Sequence, residues 1–249
     1  MTPSVESQRT ISLIVPALNE AQSLGPLLAA APPGLVDEII VVDNGSTDGT
    51  AEVARAAGAQ AVIEPQRGYG AACRAGVLAA KGDILVFMDG DGSFAPAECA
   101  ALVAPIVDGA ADLVLGTRML GGLAAGAMPP HQRWGNRLVA GLLRLLYGVQ
   151  VTDLGPYRAI RRDLLLALEM QEMSYGWPVE MTIKTAQCGG VLVETPVTCR
   201  PRSAGVSKVG GSVKGTILAT YRILRVTFRY TAAPRVSGQN VRPEKENNR

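Results

Sequence analysis

Residues 84–93, ILVFMDGDGS, join a short apolar run to two aspartates. The run 84–88 carries no charge and is rich in β-branched and aromatic residues, which predicts a buried β-strand. Asp89 and Asp91 follow it directly with one glycine between them, so both carboxylates point to the same side of the strand end. Neighbouring carboxylates repel each other unless a cation neutralises them, and hard divalent cations prefer oxygen ligands. This Asp-x-Asp stretch predicts a site for a divalent metal and for the diphosphate that the metal bridges.

The first half of the chain repeats this arrangement of a short strand and an Ala-rich helix. Strands are predicted at 11–15, 38–42, 60–63, 84–88 and 112–115, and helices at about 20–30, 49–57, 69–80 and 96–107. Such alternation is typical of an α/β fold with a mostly parallel, Rossmann-like sheet flanked by helices. Ligands of these sheets bind beyond the carboxyl ends of the strands, so the residues that follow each strand form the candidate site.

Polar residues also follow the first two predicted strands. PALNE at 16–20 lacks the glycines with which a Rossmann domain binds a nicotinamide dinucleotide, which argues against a dehydrogenase. DNGSTDGT at 43–50 predicts a tight turn into a helix, and free amides at a helix N-terminus suit the polar groups of a nucleotide. Arg67 and Gly68 precede the next helix and are predicted to lie over a diphosphate.

Beyond residue 116 the predicted elements are less regular. A Gly/Ala/Pro-rich connection leads to helices at 132–147, 162–170 and 177–187, a strand at 190–194 and a basic amphipathic helix at 213–230. The predicted organisation is a disordered N-terminus (1–10), one domain (11–212), the basic helix (213–230) and a disordered tail (231–249). No uncharged stretch reaches the ~18 residues that a transmembrane helix needs. The basic helix is predicted either to lie on an anionic membrane surface or to pack on the domain with its arginines in water.

Charge and composition narrow the function classes. The 249 residues carry 24 Lys and Arg against 22 Asp and Glu, but most of the acids precede residue 195, so the C-terminal end is basic and predicts an anionic partner. The single histidine, His131, excludes a multi-histidine zinc site and weighs against a Ser-His-Asp hydrolase. Four cysteines without CxxC spacing, and no signal peptide, predict the cytoplasm. No nucleic-acid-binding module is recognisable, so no nucleic-acid partner is predicted.

Three motifs together carry a family resemblance. VPALNE at 15–20, VDNGSTDGT at 42–50 and MDGDG at 88–92 resemble, in this order and spacing, the inverting family 2 glycosyltransferases of the GT-A fold. Within that family, the dolichyl- and polyprenyl-phosphate mannose or glucose synthases have segments similar to GTR at 116–118, DLGPYR at 153–158 and RSAGVSK at 202–208. The likeness covers roughly residues 11–210.

The resemblance and the positions of the motifs imply three groups of site residues. The nucleotide-sugar site is predicted to contain Pro16, Leu18, Asn19, Glu20, Asp43, Asn44, Ser46, Arg67, Gly68, Asp89, Gly90 and Asp91. Within that group, Asp89 and Asp91 are predicted to hold Mg²⁺ or Mn²⁺. The acceptor phosphate is predicted to be bound by Arg118, Arg133, Arg158, Arg202, Ser207 and Lys208. The predicted catalytic residues are Asp91, Arg118, Asp153, Arg158 and Glu180.

These features predict a metal-dependent, inverting hexosyltransferase that acts peripherally on the inner face of the cytoplasmic membrane. The expected donor is UDP-glucose or GDP-mannose, and the expected acceptor is a polyprenyl or dolichyl phosphate. A phosphate monoester is already an anion at neutral pH, so it needs cationic side chains to orient it rather than a base. The first alternative is a soluble or polysaccharide acceptor hydroxyl, whose proton Asp153 or Glu180 would take. The others are a nucleotidyltransferase and a non-catalytic nucleotide-sugar-binding protein.

Overall fold

A seven-stranded sheet runs through the residues that the computed structural model describes, 9–205 and 213–231. Its strands are β1 (Ile11–Ala17), β2 (Glu38–Asp43), β3 (Gln60–Ile63), β4 (Ile84–Phe87), β5 (Leu113–Thr117), β6 (Arg158–Arg161) and β7 (Leu192–Pro196). Their order across the sheet is β3-β2-β1-β4-β6-β5-β7. Neighbours are parallel except at β6, which runs antiparallel to both β4 and β5. The predicted α/β fold with a mostly parallel sheet is confirmed.

Strand β6 is the element that the sequence analysis did not predict. It lies between β4 and β5, so that Ala159 faces Val86 on one side and Val114 on the other. Its sequence, RAIR, has two arginines in four residues and does not resemble a central strand, yet Arg158 is only 1% exposed. Both neighbouring strands need partners for their backbone hydrogen bonds, and this long-range requirement is invisible in the local sequence.

Eight α-helices within the described ranges accompany the sheet. They are α1 (Ala21–Ala29), α2 (Thr50–Ala56), α3 (Tyr69–Ala79), α4 (Cys99–Val107), α5 (Pro130–Tyr147), α6 (Arg162–Ala167), α7 (Trp177–Gln187) and α8 (Val213–Arg229). The predicted helices are confirmed with shifted ends. Helix α5 begins at Pro130, because a proline loses no helical hydrogen bond in the first turn. Helix α6 is shorter than predicted, and Glu169 beyond it has a left-handed φ of 47°.

Helices cover both faces of the sheet and bury its central strands β1, β4 and β5, whereas the edge strands β3 and β7 remain partly exposed. On one face Leu13 belongs to a core with Leu24 of α1 and Leu102 of α4. On the other face Ile14 belongs to a core with Val77 of α3 and residues of α6 and α7. Consecutive residues of β1 enter different cores because side chains alternate along a strand. The sheet is therefore a rigid support for the loops at its carboxyl ends.

A third apolar cluster joins α5, α7 and α8 beside the sheet. Leu143 of α5, Ile183 of α7 and Val226 of α8 are buried in it. The hydroxyl of Tyr147, at the end of α5, donates a 2.6 Å hydrogen bond to the carbonyl of Thr227. None of the helices in the described ranges is both long and apolar enough to cross a bilayer.

Two groups of predictions concern residues outside the described ranges. Most of both predicted disordered ends lies there, in residues 1–8 and 232–249. Ser207 and Lys208, predicted to bind the acceptor phosphate, lie in the other undescribed stretch, residues 206–212. The predicted domain boundaries and the roles of these two residues stay predictions.

Gly76 lies at a close approach between α3 and the sheet. A Cβ atom at this position would be 2.4 Å from Cγ2 of Ile14 and 3.2 Å from Cγ2 of Val42. We expect Gly76→Ala to lower the free energy of unfolding by about 1–3 kcal/mol because the core is overpacked. Gly141→Ala, in α5, is the matched control: apart from the helix's own backbone, no atom of the described residues lies within 4 Å of the added carbon, so the change should stabilise the helix by about 0.5–1 kcal/mol. Urea unfolding measures both, and stabilisation by both substitutions would contradict the close packing.

Candidate functional site

The loops after β1 and β2 interlock at the carboxyl ends of these strands. The backbone N–H of Asn19 donates to Oγ of Ser46 (2.9 Å), and the N–H of Thr47 donates to Oδ1 of Asn19 (2.8 Å). The N–H of Glu20 donates to Oγ1 of Thr50 (3.0 Å). Asn19 has a φ of 55°, which asparagine tolerates better than most residues. The two interlocked loops are preceded by Pro16, which is paired with Val42 in the sheet. Leu18, in the loop after β1, is half-buried.

Asn44 ties the turn after β2 to the loop before α3. Its side-chain amide donates to the carbonyls of Glu64 (3.0 Å) and Gln66 (2.7 Å), and its Oδ1 accepts the N–H of Gly68 (2.8 Å). This holds Arg67 over the turn, where a Cβ added to Gly45 would be 3.1 Å from Nε of Arg67. Asp43 accepts the N–H of Ser46 at 2.7 Å. The structure thus brings five predicted nucleotide-site residues together: Asp43, Asn44, Ser46, Arg67 and Gly68.

The two aspartates after β4 have different surroundings. Asp91 is buried and accepts hydrogen bonds from the N–H of Ser93 (2.9 Å) and from Nη1 of Arg202 (2.9 Å). Half-buried Asp89 accepts no hydrogen bond from any residue in the described ranges. Burial and the neighbouring charge of Asp91 raise the pKa of Asp89 to about 7, although Arg118 and Arg202 oppose the change. Asp89 therefore lies where its ionised form is disfavoured and where no described residue donates a hydrogen bond to it.

Arg202 bridges the Asp-x-Asp turn and the loop after β1. Its Nη2 contacts both carboxylate oxygens of Glu20 at 2.6 and 2.7 Å, while its Nη1 pairs with Asp91. The N–H of Ser203 donates to the carbonyl of Asp91 at 3.1 Å, so the 202–205 segment lies over the turn. Arg202, which the resemblance assigned to the acceptor phosphate, is placed here among carboxylates of the predicted donor site.

Arg118 and Asp153 form a two-point ion pair at the end of β5. Nε and Nη2 of Arg118 each lie 2.7 Å from one oxygen of Asp153, whose Oδ2 also accepts the backbone N–H of Arg118 at 2.8 Å. Asp153 is fully buried, and its Oδ1 accepts the N–H of Leu154 as well. Both oxygens are engaged, so this carboxylate is poorly placed to take a proton from a substrate.

Glu180, the other candidate base, is fully buried in α7. Its carboxylate accepts the backbone N–H groups of Gln171 and Glu172, the hydroxyl of Tyr230 and the ammonium of Lys184. Burial alone would raise the pKa of Glu180, but these hydrogen bonds outweigh it and lower the pKa. These contacts join the 171–172 segment and the end of α8 to α7. They indicate that the carboxylate of Glu180 has a structural role.

Arg158, predicted to be catalytic and to bind the acceptor, is the most deeply placed of the predicted arginines. It donates to the carbonyls of Pro178 (2.9 Å) and Gly155, and its Nε has no hydrogen-bond partner among the described residues. Burial lowers the pKa of Arg158 to about 10, so it remains charged at neutral pH. Its contacts hold the 155 turn against α7, and its burial leaves no surface for a substrate.

A groove of about 800 Å³ opens beside Arg118, between α5, which lines it from Pro130 to Arg144, and the segments around residues 120 and 151. Its cationic lining residues are Arg118, Arg133, Arg137 and Arg144, and its apolar ones include Leu123, Trp134 and Val151. No Asp or Glu is among the described residues that line it. Sequence reasoning assigned Arg118 and Arg133 to a site but missed Arg137 and Arg144, although their spacing along one helix was a usable signal.

An Asp-x-Asp turn at the carboxyl edge of a mostly parallel α/β sheet, next to a basic groove, is the arrangement expected of a GT-A-type glycosyltransferase. The family model described as "Glycosyl transferase family 2" matches residues 12–168. The chain belongs to glycosyl transferase family 2, and the resemblance drawn from its motifs is confirmed.

Relatives and solved structures agree with this assignment. An uncharacterised glycosyltransferase of Mycobacterium tuberculosis is 42% identical over 209 residues, which cover 84% of this chain and 94% of that one. The undecaprenyl-phosphate mannosyltransferase of Micrococcus luteus is 35% identical over 222 residues, 81% of this chain and 88% of its own. Glucosyl-3-phosphoglycerate synthase from Mycobacterium tuberculosis, in complex with Mn²⁺, UDP-glucose and phosphoglyceric acid, aligns with a TM-score of 0.72 and 26% identity, covering 91% of this chain and 81% of that one.

Proposed function

We propose that this glycosyltransferase moves a hexose from UDP-glucose or GDP-mannose to the phosphate of a polyprenyl or dolichyl phosphate at an anionic membrane surface. The observation that carries the proposal is the basic groove, which has four arginines and no acid among its described lining residues. Arg118 belongs to this groove, and its charge also acts on Asp89. The acceptor anion and the donor diphosphate would therefore meet next to Arg118.

Asp89 and Asp91 suit a divalent cation. Burial and the neighbouring charge of Asp91 raise the pKa of Asp89, and Oδ2 of Asp91 pairs with Arg202. Within the described ranges no set of three acidic, histidine or cysteine side chains is placed to hold a metal. Mg²⁺ commonly binds through one or two carboxylates together with substrate phosphates, which this pair allows. Mg²⁺ or Mn²⁺ bound there would stabilise negative charge on the departing nucleoside diphosphate.

The two candidate bases favour a phosphate acceptor over a hydroxyl acceptor. Asp153 is held by Arg118, and Glu180 is buried under four donors, so neither has a free oxygen near the groove. A hydroxyl acceptor needs a base to take its proton, whereas a phosphate monoester is already an anion. What the phosphate needs is orientation, which arginine N–H groups supply by charge-assisted hydrogen bonds.

Helices α5 and α8 suit contact with lipid. On α5, Trp134, Leu138 and Leu145 are 70%, 57% and 80% exposed and share one face by their spacing. On α8, Ile217 and Tyr221 are also more than half exposed. Residues 130–152 and 213–231 contain no Asp or Glu, so the neighbouring arginines are not offset by acids on the same segments. Exposed apolar side chains among arginines are typical of helices that lie in an anionic membrane surface.

A sugar-transfer assay tests the proposed function. The purified protein is incubated with Mn²⁺ or Mg²⁺, labelled UDP-glucose or GDP-mannose, and a short polyprenyl phosphate. We expect label that extracts into organic solvent and is released by mild acid, with one donor preferred. The 35% identity to an undecaprenyl-phosphate mannosyltransferase supports this expectation. Nucleotide release with all label remaining in water would refute the lipid acceptor.

A second candidate acceptor is a small phosphorylated acid. The structural likeness to a glucosyl-3-phosphoglycerate synthase bound to phosphoglyceric acid favours it, because the same arginines would also bind such an anion. The apolar lining of the groove by Leu123, Trp134 and Val151 argues for the lipid instead. A parallel assay with 3-phosphoglycerate separates the two, since its product stays in water.

Membrane contact through α5 gives a separate prediction. We expect Trp134→Glu combined with Leu145→Glu to abolish co-sedimentation with vesicles of anionic phospholipid, because acids would enter the apolar face and repel the lipid. Leu78→Glu is the control: Leu78 is 71% exposed but belongs to α3, so its replacement should leave co-sedimentation unchanged. Wild-type binding should weaken as salt is raised. Equal loss in the control, or wild-type binding to neutral vesicles alone, would contradict the assignment.

A further inference from the structure

Glu194, in β7, is hydrogen-bonded to the 152–153 turn, on which the proposed mechanism depends. Glu194 itself is not among the described residues that line the basic groove. Its Oε1 accepts three hydrogen bonds, from the N–H of Thr152 (2.8 Å), the hydroxyl of Thr152 (3.0 Å) and the N–H of Asp153 (3.1 Å). The hydroxyl of Thr152 also lies 2.7 Å from that of Thr117 in β5. One charged oxygen with three donors fixes the position of the 152–153 backbone, because charge-assisted hydrogen bonds are short and strong.

Asp153, in the 152–153 turn, fixes the position of the Arg118 side chain. Asp153 accepts Nε, Nη2 and the backbone N–H of Arg118, so the plane of the guanidinium follows the position of Asp153. Nη1 of Arg118 takes part in no hydrogen bond with the described residues, and Arg118 lines the groove. Thr152 lines the groove as well. Hydrogen bonds therefore link Glu194 to the 152–153 turn and link Asp153 to Arg118. Nη1 of Arg118 is the guanidinium nitrogen that can bind a ligand in the groove.

We propose that Glu194 is a positioning residue for the acceptor site, which aims the guanidinium of Arg118 at the acceptor anion by fixing the 152–153 turn. This inference rests on the proposed function in one respect, the assignment of the basic groove to an acceptor phosphate. Glutamine at position 194 keeps the shape of the side chain but removes its charge, so the turn loses its strongest anchor without opening a cavity. The guanidinium then samples orientations that do not suit the acceptor.

Kinetics with Glu194→Gln give the first test. We expect KM for the short polyprenyl phosphate to rise about tenfold, because misplacement of a positioning group by a fraction of an ångström weakens productive binding. The dissociation constant of UDP in the presence of Mn²⁺ should not change, since among the described residues Glu194 is hydrogen-bonded to the 152–153 turn and not to the donor loops. A parallel fall of kcat and of both affinities, in proportion to the folded fraction, would indicate a purely structural role and overturn the proposal.

A second readout does not depend on the acceptor. The Nε–H of Arg118 is bonded to a buried carboxylate, so its proton should exchange slowly and give a distinct signal in a ¹⁵N spectrum, assigned by its loss in Arg118→Lys. Glu194→Gln should shift this signal and speed its exchange. An unchanged signal overturns the proposal whatever the substrate is. A changed signal in a protein that transfers no sugar to lipid upholds the positioning role and refutes only the acceptor class.

Glu38→Gln is the matched control. Glu38 Oε1 likewise accepts three hydrogen bonds, from the hydroxyl of Ser12 (2.6 Å) and the N–H groups of Lys81 (2.6 Å) and Gly82 (3.3 Å). It lies at the amino ends of β1 and β2, the edge opposite the site. The control should alter neither the Arg118 signal nor the acceptor KM, and the same change of signal in both variants would overturn the proposal.

Discussion

Asp89→Asn is expected to abolish sugar transfer while leaving the metal-free protein at least as stable as the wild type. If Asp89 and Asp91 hold the metal as proposed, loss of one of the two carboxylates should slow transfer by about 10³-fold or more, because metal stabilisation of the leaving group amounts to several kcal/mol. The gain in stability follows from the surroundings of Asp89, which offer it burial and a neighbouring acid but no hydrogen bond from the described residues. Most substitutions in a binding site do not combine a loss of activity with an unchanged or increased stability.

The destabilising effect of ionised Asp89 can be measured from the pH dependence of the free energy of unfolding. The pKa of Asp89 rises from an ordinary 3.8 to about 7 on folding, so the folded state binds this proton more tightly than the unfolded state. In EDTA the wild-type free energy of unfolding should therefore fall as pH rises from about 4 to about 7, by at most about 4 kcal/mol. Asp89→Asn should remove that decline. Adding Mn²⁺ with UDP should reverse it in the wild type alone.

Asp91→Asn is the informative comparison. Asp91 is paired with Arg202 at 2.9 Å, so its neutralisation should stop transfer and also destabilise the protein. Thermal melts across pH and transfer rates of both variants measure the contrast. If Asp89→Asn kept appreciable transfer, or destabilised the metal-free protein as much as Asp91→Asn does, the assignment of the two carboxylates would fail.

Arg118→Lys is expected to reduce kcat/KM for the acceptor about 100-fold with little effect on donor binding. Lysine keeps the positive charge, but it cannot make two parallel bonds to Asp153 and still present an N–H to a phosphate. Loss of a single preorganised donor to a developing or bound anion commonly costs about 10²–10³ in rate. Lysine also avoids leaving Asp153 buried without a cation, which would unfold many proteins. Steady-state kinetics with varied acceptor, and calorimetry with UDP and Mn²⁺, measure the two effects.

Arg161→Lys controls for the loss of a partly buried arginine pair. Arg161 lies 2.9 Å from Asp112 and also pairs with Asp163, at the end of β6 that faces the amino end of β4. Its replacement should cost stability without changing transfer. Transfer lost equally in both variants would mean that Arg118 acts only through stability, and an unchanged acceptor KM in Arg118→Lys would remove it from the acceptor site.

Part of the candidate site was predictable because its residues are adjacent in sequence and follow recognisable strands. Asp89 and Asp91 directly follow an uncharged apolar run. Asp43, Asn44 and Ser46 lie together in the single turn at the end of β2. The carboxyl ends of neighbouring parallel strands meet at one edge, so correct strands were enough to bring these motifs together.

The residues that sequence reasoning placed least well are those whose roles depend on distant partners. Asp153 and Glu180 were candidate bases, yet the structure surrounds both with hydrogen-bond donors. Arg158 was a candidate for the acceptor and proves to be buried beneath α7. A carboxylate or guanidinium has the same letter in the sequence whether it faces solvent or, like Asp153, the backbone amide of a residue 35 positions away, so burial and partners are the missing information.

The sequence by itself determined the strands other than β6, the described α-helices, the Asp-x-Asp turn and the basic character of α5 and α8, because each follows from a pattern within one short segment. Only the tertiary structure decided that β6 enters the sheet antiparallel between β4 and β5, that Arg202 bridges Glu20 and Asp91, and that Glu194 supports Asp153. The physical reason is that each of these contacts joins segments at least 40 residues apart. Their energies come from backbone pairing and charge neutralisation in the folded chain rather than from local preference.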